Sequence, residues 1–395
     1  MYYKNIYLYK HILVLLTTIV LLFSCENNSN RQKLKPIKES LNIKLDTLSE
    51  IDTLTNDIAS IISGEKPMFF YKNIANKDKW KKYSNNINKE WLDVEKSKII
   101  PISKWMDVTL PNSFFKQEKD YTLFYPFAGA DFLYAYAFFP KCKYYILIGL
   151  EPVGKINLLD TIVPDSLFAY MNHLKNIANL PNKVGFFRTE DMELEFDNSN
   201  LNGTSHLLLF YVKKLGFTIN KIRYFNIDST GKQLYYLDKE SLKKEPIGFQ
   251  IDFSNSEETQ SQIIFYISLN INDYNLKKEK GYQYFINSFS NQITLIKSAS
   301  YLLHKEHFSI TRNHILNNTN LIVQDDSGIP FKFFNNTKWV VNLFGSYSKT
   351  LKIFEQHYQA DLDSAYKNNN TDKIPFKIGY NLKHKEMNLL VARKQ

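Results

Sequence analysis

The chain predicts an α+β fold, a central mixed sheet carrying helices, with an antiparallel meander in the middle of the chain. Helical spacings of three and four alternate with β-rich or strictly alternating stretches, yet without the regular β-α order of a purely parallel fold. No short-period repeat interrupts the pattern. Aromatic residues make up 15% of the 395 positions, with 26 Tyr and 29 Phe, which is ample bulk for a large core. At roughly 100–200 residues per domain, the length fits two domains or one large one.

In chain order, Thr47-Leu48-Ser49-Glu50 has the form of a capping box. Leu48, Ile51, Leu54, Ile58 and Ile61 follow at helical spacing and predict a helix to about Gly64. Tyr121–Tyr125 reads as a strand ended by Pro126, Asp131–Phe139 as a short helix and Tyr144–Gly149 as a buried strand. Ser166–Ala178 and residues 204–216 have helical patterns. The meander comprises Thr218–Ile227, Lys232–Asp238, Ile247–Phe253 and Thr259–Leu269, with Ser229-Thr230-Gly231 as a hairpin turn. Helices return at Gly281–Phe289 and Phe308–Asn317. Strands are expected at Leu321–Gln324, Trp339–Phe344, Phe376–Tyr380 and Leu389–Ala392. A domain boundary is expected, if anywhere, near residue 217.

The N-terminus carries an address. Lys4 and Lys10 precede an apolar run from Ile12 to Phe23, broken only by Thr17 and Thr18. As a helix it would span about 18 Å, short of a hydrocarbon core of about 30 Å. That is the pattern of a secretory leader. Leu22-Phe23-Ser24-Cys25 resembles the lipobox of bacterial lipoproteins. The resemblance implies a signal peptide over residues 1–24 and lipidation of Cys25, which becomes the first residue of the mature chain and its membrane anchor. Glu26 in place of Asp gives no inner-membrane retention signal, so the outer membrane is the expected address. Residues 25–45 are polar and predict a flexible tether; residues 46–395 form the body.

Two cysteines exclude a disulfide scaffold and four-cysteine zinc modules. With Cys25 acylated, Cys142 has no intramolecular partner and reads as a buried structural thiol. The formal charge of +10 comes from scattered lysines interleaved with acids and asparagines. An exported chain of this kind is not expected to bind nucleic acid, and no cofactor is implied.

Four carboxylates are the candidate chemistry. Asp131 and Glu151 each lie just beyond a buried strand, beside glycine and proline. If those strands are neighbours, both acids open at one edge, where they could bind a cation, accept sugar hydroxyls or act as acid and base. The structural alternative makes Asp131 a helix cap and Glu151 a turn residue. Asp325 and Asp326 follow another apolar strand; a hard-cation site and a tight turn fit them equally. The metal is unknown. Gly149–Lys155 matches the start of a phosphate-binding loop, but Ile156 stands where Ser or Thr would hold magnesium. Glu151 and Pro152 inside the loop argue further against nucleotides. His304, His307 and His314 have no metal-motif spacing and read as surface or capping residues.

Tyr125–Asp131 (Y-P-F-x-G-x-D), Gly149–Gly154 (G-L-E-P-V-G) and Asp325–Pro330 (D-D-S-G-I-P) resemble segments of uncharacterised exported bacterial proteins. Tyr301–His304 and Gly345–Tyr347 belong to the same pattern, which covers about residues 66–395, with Ala130 in place of proline. The resemblance implies an extracytoplasmic location and no particular reaction. The expected function is a lipid-anchored envelope module for binding or structure, with a glycan or protein partner. Trp80, Trp91 and Trp105 are one candidate stacking platform. The alternative is an extracytoplasmic hydrolase using the four carboxylates, with or without a divalent cation.

Overall fold

The computed structural model describes residues 52–110, 114–115, 120–159, 162, 164–179, 203–236, 246–255, 261–380 and 387–395. The leader over 1–24, Cys25, the tether over 25–45 and the capping box at 47–50 lie outside the described residues.

The first helix, α1 (Thr53–Ser63), starts at Asp52, whose side chain accepts from the Thr55 amide at 2.9 Å. It ends where expected, at Gly64. That residue adopts φ 77°, and a Cβ there would strike Ile87. Lys72–Ala75 (α2) and Asp78–Val94 (α3) follow. A π-helical turn, Glu95–Ile99, then leads into α4 (Ile100–Thr109). Pro101 explains the wide turn: it lacks an N–H and its ring crowds the carbonyl four residues back, so the ladder opens ahead of it.

The α+β assignment holds. Ten strands form one mixed sheet: β1 (Thr122–Tyr125), β2 (Tyr144–Gly149), β3 (Thr218–Ile227), β4 (Gln233–Tyr235), β5 (Gly248–Ser254), β6 (Gln262–Ser268), β7 (Gln292–Ile296), β8 (Thr319–Gln324), β9 (Trp339–Gly345) and β10 (Asn388–Lys394). Their spatial order is β4-β3-β5-β6-β2-β1-β7-β8-β10-β9. The five strands from β6 to β8 are parallel, and both flanks are antiparallel. The predicted meander is the β3–β6 flank, turned at Asp228, whose carboxylate accepts from the Thr230 and Lys232 amides. Residue 217 sits just before β3 in this sheet, and β6 beyond it pairs with β2 before it.

Alternation along the strands supplies two apolar faces. Leu123, Tyr125, Tyr145, Leu147, Ile293, Leu295, Leu321 and Val323 face a layer with α1, α3, α4, α5 (Phe132–Phe138), α6 (Pro164–Ala178) and α7 (Ser205–Lys214). Phe124, Ile146, Ile148, Ile296 and Ile322 face α8 (Asp273–Lys278), α9 (Lys280–Asn287) and α10 (Ser309–Asn318). A final helix, α11 (Ala360–Asn368), packs near β9 through Tyr366, whose hydroxyl donates to the Phe344 carbonyl.

Two expectations are overturned. Phe376–Tyr380 is not a strand. Ile374, Phe376 and Ile378 are buried while Pro375 and Lys377 are exposed, which imitates a strand's period. The segment is a strap, with Gly379 left-handed at φ 73° and Phe376 wedged edge-on against Trp105 and Phe138. The tryptophan platform also fails: Trp80, Trp91 and Trp105 are 3%, 7% and 8% exposed. All three are core residues, so none can stack on a ligand.

Candidate functional site at the carboxyl edge of the parallel strands

Strands β1 and β7 are neighbours whose onward connections diverge. From β1 the chain passes through α5 on one face to β2; from β7 it passes through α10 on the other face to β8. Such a divergence opens the sheet at its carboxyl edge, where ligands of open α/β sheets bind. The loops there are Pro126–Asp131 after β1, Leu150–Gly154 after β2, Lys297–Tyr301 after β7 and Asp325–Pro330 after β8.

All four predicted acids lie on this edge, and all are buried. Asp131 caps α5 through Oδ1, which accepts from the Tyr134 amide at 3.2 Å. Its Oδ2 meets Lys297 Nζ at 2.9 Å and accepts from the Tyr125 hydroxyl at 3.0 Å. The cap and the charge site are therefore one residue. The ion pair crosses the divergence point, with both side chains 2% exposed. Lys297 Nζ also lies 4.1 Å from the centre of the Tyr134 ring.

Asp325 accepts from the Ser298 amide at 2.8 Å and from the amide and hydroxyl of Ser327. Asp326 accepts from the Tyr301 hydroxyl and, at 3.0 Å, from Asn388 Nδ2. Burial, against these donors, raises the Asp325 carboxyl above the usual range, with Lys297 pulling it back. Asp326 is pushed up to about 7, by burial first and then by the charge of Asp325. Asp131, Asp325 and Lys297 thus share one electrostatic centre; Tyr125 is raised by burial and by both aspartates. Glu151 sits apart, over Gly129 and Gly149, while the Tyr266 hydroxyl donates to its carbonyl at 2.7 Å. A Cβ on Gly149 would come within 2.6 Å of its Oε2, so glycine there makes room for the glutamate.

The strap closes over this centre. Tyr380 donates to the Ser298 carbonyl at 2.6 Å and accepts from the Ser300 amide at 3.0 Å. Lys98, brought inward on the π-helical turn, donates to the Lys377 carbonyl at 3.0 Å. Burial, then Lys297 and Lys377, lower its ammonium to about 8. A Cβ on Gly379 would lie 2.9 Å from Asp325 Oδ2. Gly379→Ala is expected to cost about 1–2 kcal/mol, from the left-handed backbone and that contact together. Urea denaturation at neutral pH checks it.

Around the strap runs an aromatic rim. Tyr301 stacks on His357 at 5.0 Å and 4°, and meets His304 at 5.1 Å and Phe354 at 4.9 Å. Tyr301 itself is buried, while His304, Phe354, His357 and Tyr380 are half-exposed. His304 Nε2 is buried with no hydrogen-bond partner, and burial lowers the ring to about 4. His314 is likewise enclosed, bonded to Gln292 Oε1 at 2.9 Å. The surface reading of the histidines therefore holds for His307, which is exposed, and only in part for His304 and His314, which are half-buried.

Among the described residues six non-glycine positions have positive φ. Four lie on this edge: Phe127, Ser298, Ser300 and Tyr301. Each such residue costs roughly 1–2 kcal/mol, and concentrations of them mark functional loops. Beside Asp325 and Asp326 the interior space is only about 10 Å³, room for one water-sized sphere and too small for a sugar ring. Among the described residues no group of three or more His, Cys, Asp or Glu side chains is arranged to hold a metal ion.

The sequence reading missed Lys297, Lys98 and the roles of Tyr125 and Tyr301. Lys297 directly follows the unassigned strand β7, and its signal was a lone lysine after Ile293-Thr294-Leu295-Ile296. Cys142 is buried as expected, and burial raises its thiol well above the ordinary value. Searches of family models, curated proteins and solved structures return no match to this chain.

Proposed function

We propose that the protein is a lipoprotein of the cell envelope, anchored through Cys25 in the outer membrane, whose body binds a polyhydroxylated ligand at the carboxyl edge. The observation that carries the reading is the concentration of left-handed residues, buried carboxylates and half-exposed aromatic rings at the point where β1 and β7 diverge. Rings present flat apolar faces to sugar C–H groups, and carboxylates and hydroxyls accept or donate to the sugar oxygens. The interior is filled, so the ligand lies on the rim, against Phe354 and His357, with the Ser300 hydroxyl as a polar partner.

Titration with neutral oligosaccharides, followed by NMR of the soluble body, tests this. Phe354→Ala and His357→Ala are each expected to weaken binding by about fivefold, the equivalent of about 1 kcal/mol of ring contact. No oligosaccharide binding, or variants that bind as the parent does, would remove the ligand reading. The anchor is tested separately: Cys25→Ser is expected to abolish palmitate labelling and release from the leader, and continued labelling would remove the anchor.

A second reading, hydrolysis, is favoured by one observation. Burial and the charge of Asp325 push the Asp326 carboxyl up to about 7, against the hydrogen bond it receives from Tyr301, so that the side chain can hold a proton near neutral pH, as a general acid must. Loss of turnover in Asp326→Asn, with the fold intact, would support it over simple binding.

A further inference from the structure

Outside the carboxyl edge, one feature of the surface has no role in the site. Met68, Phe69 and Phe70 are consecutive and 69%, 58% and 46% exposed. Scattered exposed hydrophobics are ordinary; three large ones in a row on a fixed loop are not. The loop is held from below by Asp57, which is 1% exposed and lies in α1. One oxygen of Asp57 accepts from the Met68 amide at 2.7 Å. The other accepts from the Phe69 and Phe70 amides at 2.7 and 2.5 Å. A buried carboxylate is thus committed to three successive backbone amides, and the side chains they carry point away from the core. Pro67 on one side is buried, and Tyr71 on the other takes a left-handed φ of 56°.

Lysines lie on both sides of this apolar tip in the chain. Lys66 and Lys72 flank it, and Lys77, Lys79, Lys81 and Lys82 follow at the start of α3, all six exposed. The two acids of the same stretch outside the core are engaged, Glu65 with Lys214 at 2.8 Å and Asp78 with Lys81 at 3.1 Å. An apolar tip with exposed lysines close on both sides of it in the chain suits the boundary of an anionic bilayer: the rings enter the acyl region and the amines meet headgroup phosphates. The position in the chain agrees. Asp52, the first described residue, lies five positions from Asp57, about 7.5 Å along the helix axis.

We propose that Met68-Phe69-Phe70 is a membrane-contact loop that seats the body on an anionic lipid surface. It requires no acylation at Cys25 and stands or falls separately from the ligand site. With both present, the loop fixes the orientation of the body at the membrane.

The test uses the full chain in a Cys25→Ser background, so that acylation does not enter and the apolar leader keeps the chain on the vesicle. A single bimane label is placed at Phe69→Cys or, for comparison, at Ser229→Cys in the exposed β3–β4 turn; Cys142 is buried and does not label. Vesicles are phosphatidylcholine with phosphatidylglycerol and an acyl-chain nitroxide lipid. The label at 69 is expected to be quenched severalfold more than the label at 229, and Phe70→Glu in the same protein is expected to erase the difference. Equal quenching at the two positions overturns the proposal. So does quenching at 69 that is unchanged without phosphatidylglycerol. Shielding of the label at 69 from aqueous iodide before vesicles are added would assign the loop to a protein contact and overturn it as well.

Discussion

Asp326→Asn is expected to stabilise the protein at pH 8 and to leave its stability nearly unchanged at pH 5. In the folded chain this carboxyl is pushed up to about 7, against about 3.9 for an unfolded aspartate. The folded state therefore holds the proton more tightly than the unfolded state does. The stability this group contributes is fully present below about pH 4 and is lost as pH rises through 7. A separation of about three units is worth up to about 4 kcal/mol. Asparagine resembles the protonated acid in shape and charge, so it is nearly neutral at pH 5 and removes a buried, repelled charge at pH 8. Three histidines act in the opposite direction: burial holds His206, His304 and His314 near 4, so their contribution is lost as pH falls from about 6.5. Parent and variant share them, so the difference between two urea curves at each pH removes the histidines and reports Asp326 together with its coupling to Asp325. A difference that is the same at both pH values would show that Asp326 does not titrate in this range.

Lys297→Met is expected to cost about 3–5 kcal/mol, because it leaves Asp131 charged and buried without its cation. The pair lies at 2.9 Å with both side chains 2% exposed, so solvent screens it little. Methionine fills most of the lysine's volume, which confines the loss to charge rather than cavity. The double variant Asp131→Asn/Lys297→Met is expected to regain much of the stability. It removes both charges, and asparagine still caps α5. Guanidinium denaturation of the three proteins measures the coupling. A loss below about 1 kcal/mol in Lys297→Met would mean that Asp131 has enough support from Tyr125 and the Tyr134 amide alone.

The edge at which Asp131 and Asp325 face one lysine was half legible beforehand. Each acid was recognisable because it follows a short apolar strand and lies near a glycine, Gly129 before Asp131 and Gly328 after Asp325, and strand ends of that kind are local features. Lys297 was not, because β7 is five residues long and fully buried, without the alternation that marks a half-exposed strand. The rim was hidden for a different reason. Tyr301, Phe354, His357 and Tyr380 come from three separate segments, and nothing local links them. The tryptophans show the converse error: sequence clustering of Trp80, Trp91 and Trp105 suggested a surface, but each serves the core from a different helix turn.

By itself the sequence determined the mixed class of the fold and the type of many elements, though not of α2–α4, α8, α11 or β7, because spacing, caps and turn residues act within about ten positions. It also carried the leader and Cys25 pattern that the anchor proposal rests on. Only the tertiary structure decided the strand order, and with it the placement of Asp131 and Lys297 on either side of the β1–β7 divergence. The same order brought the strap of Ile374–Tyr380 over Asp325. The physical reason is range. Pairing between strands 170 residues apart, as between Thr122 and Gln292, is chosen by the packing of whole apolar faces and leaves no mark in either segment alone.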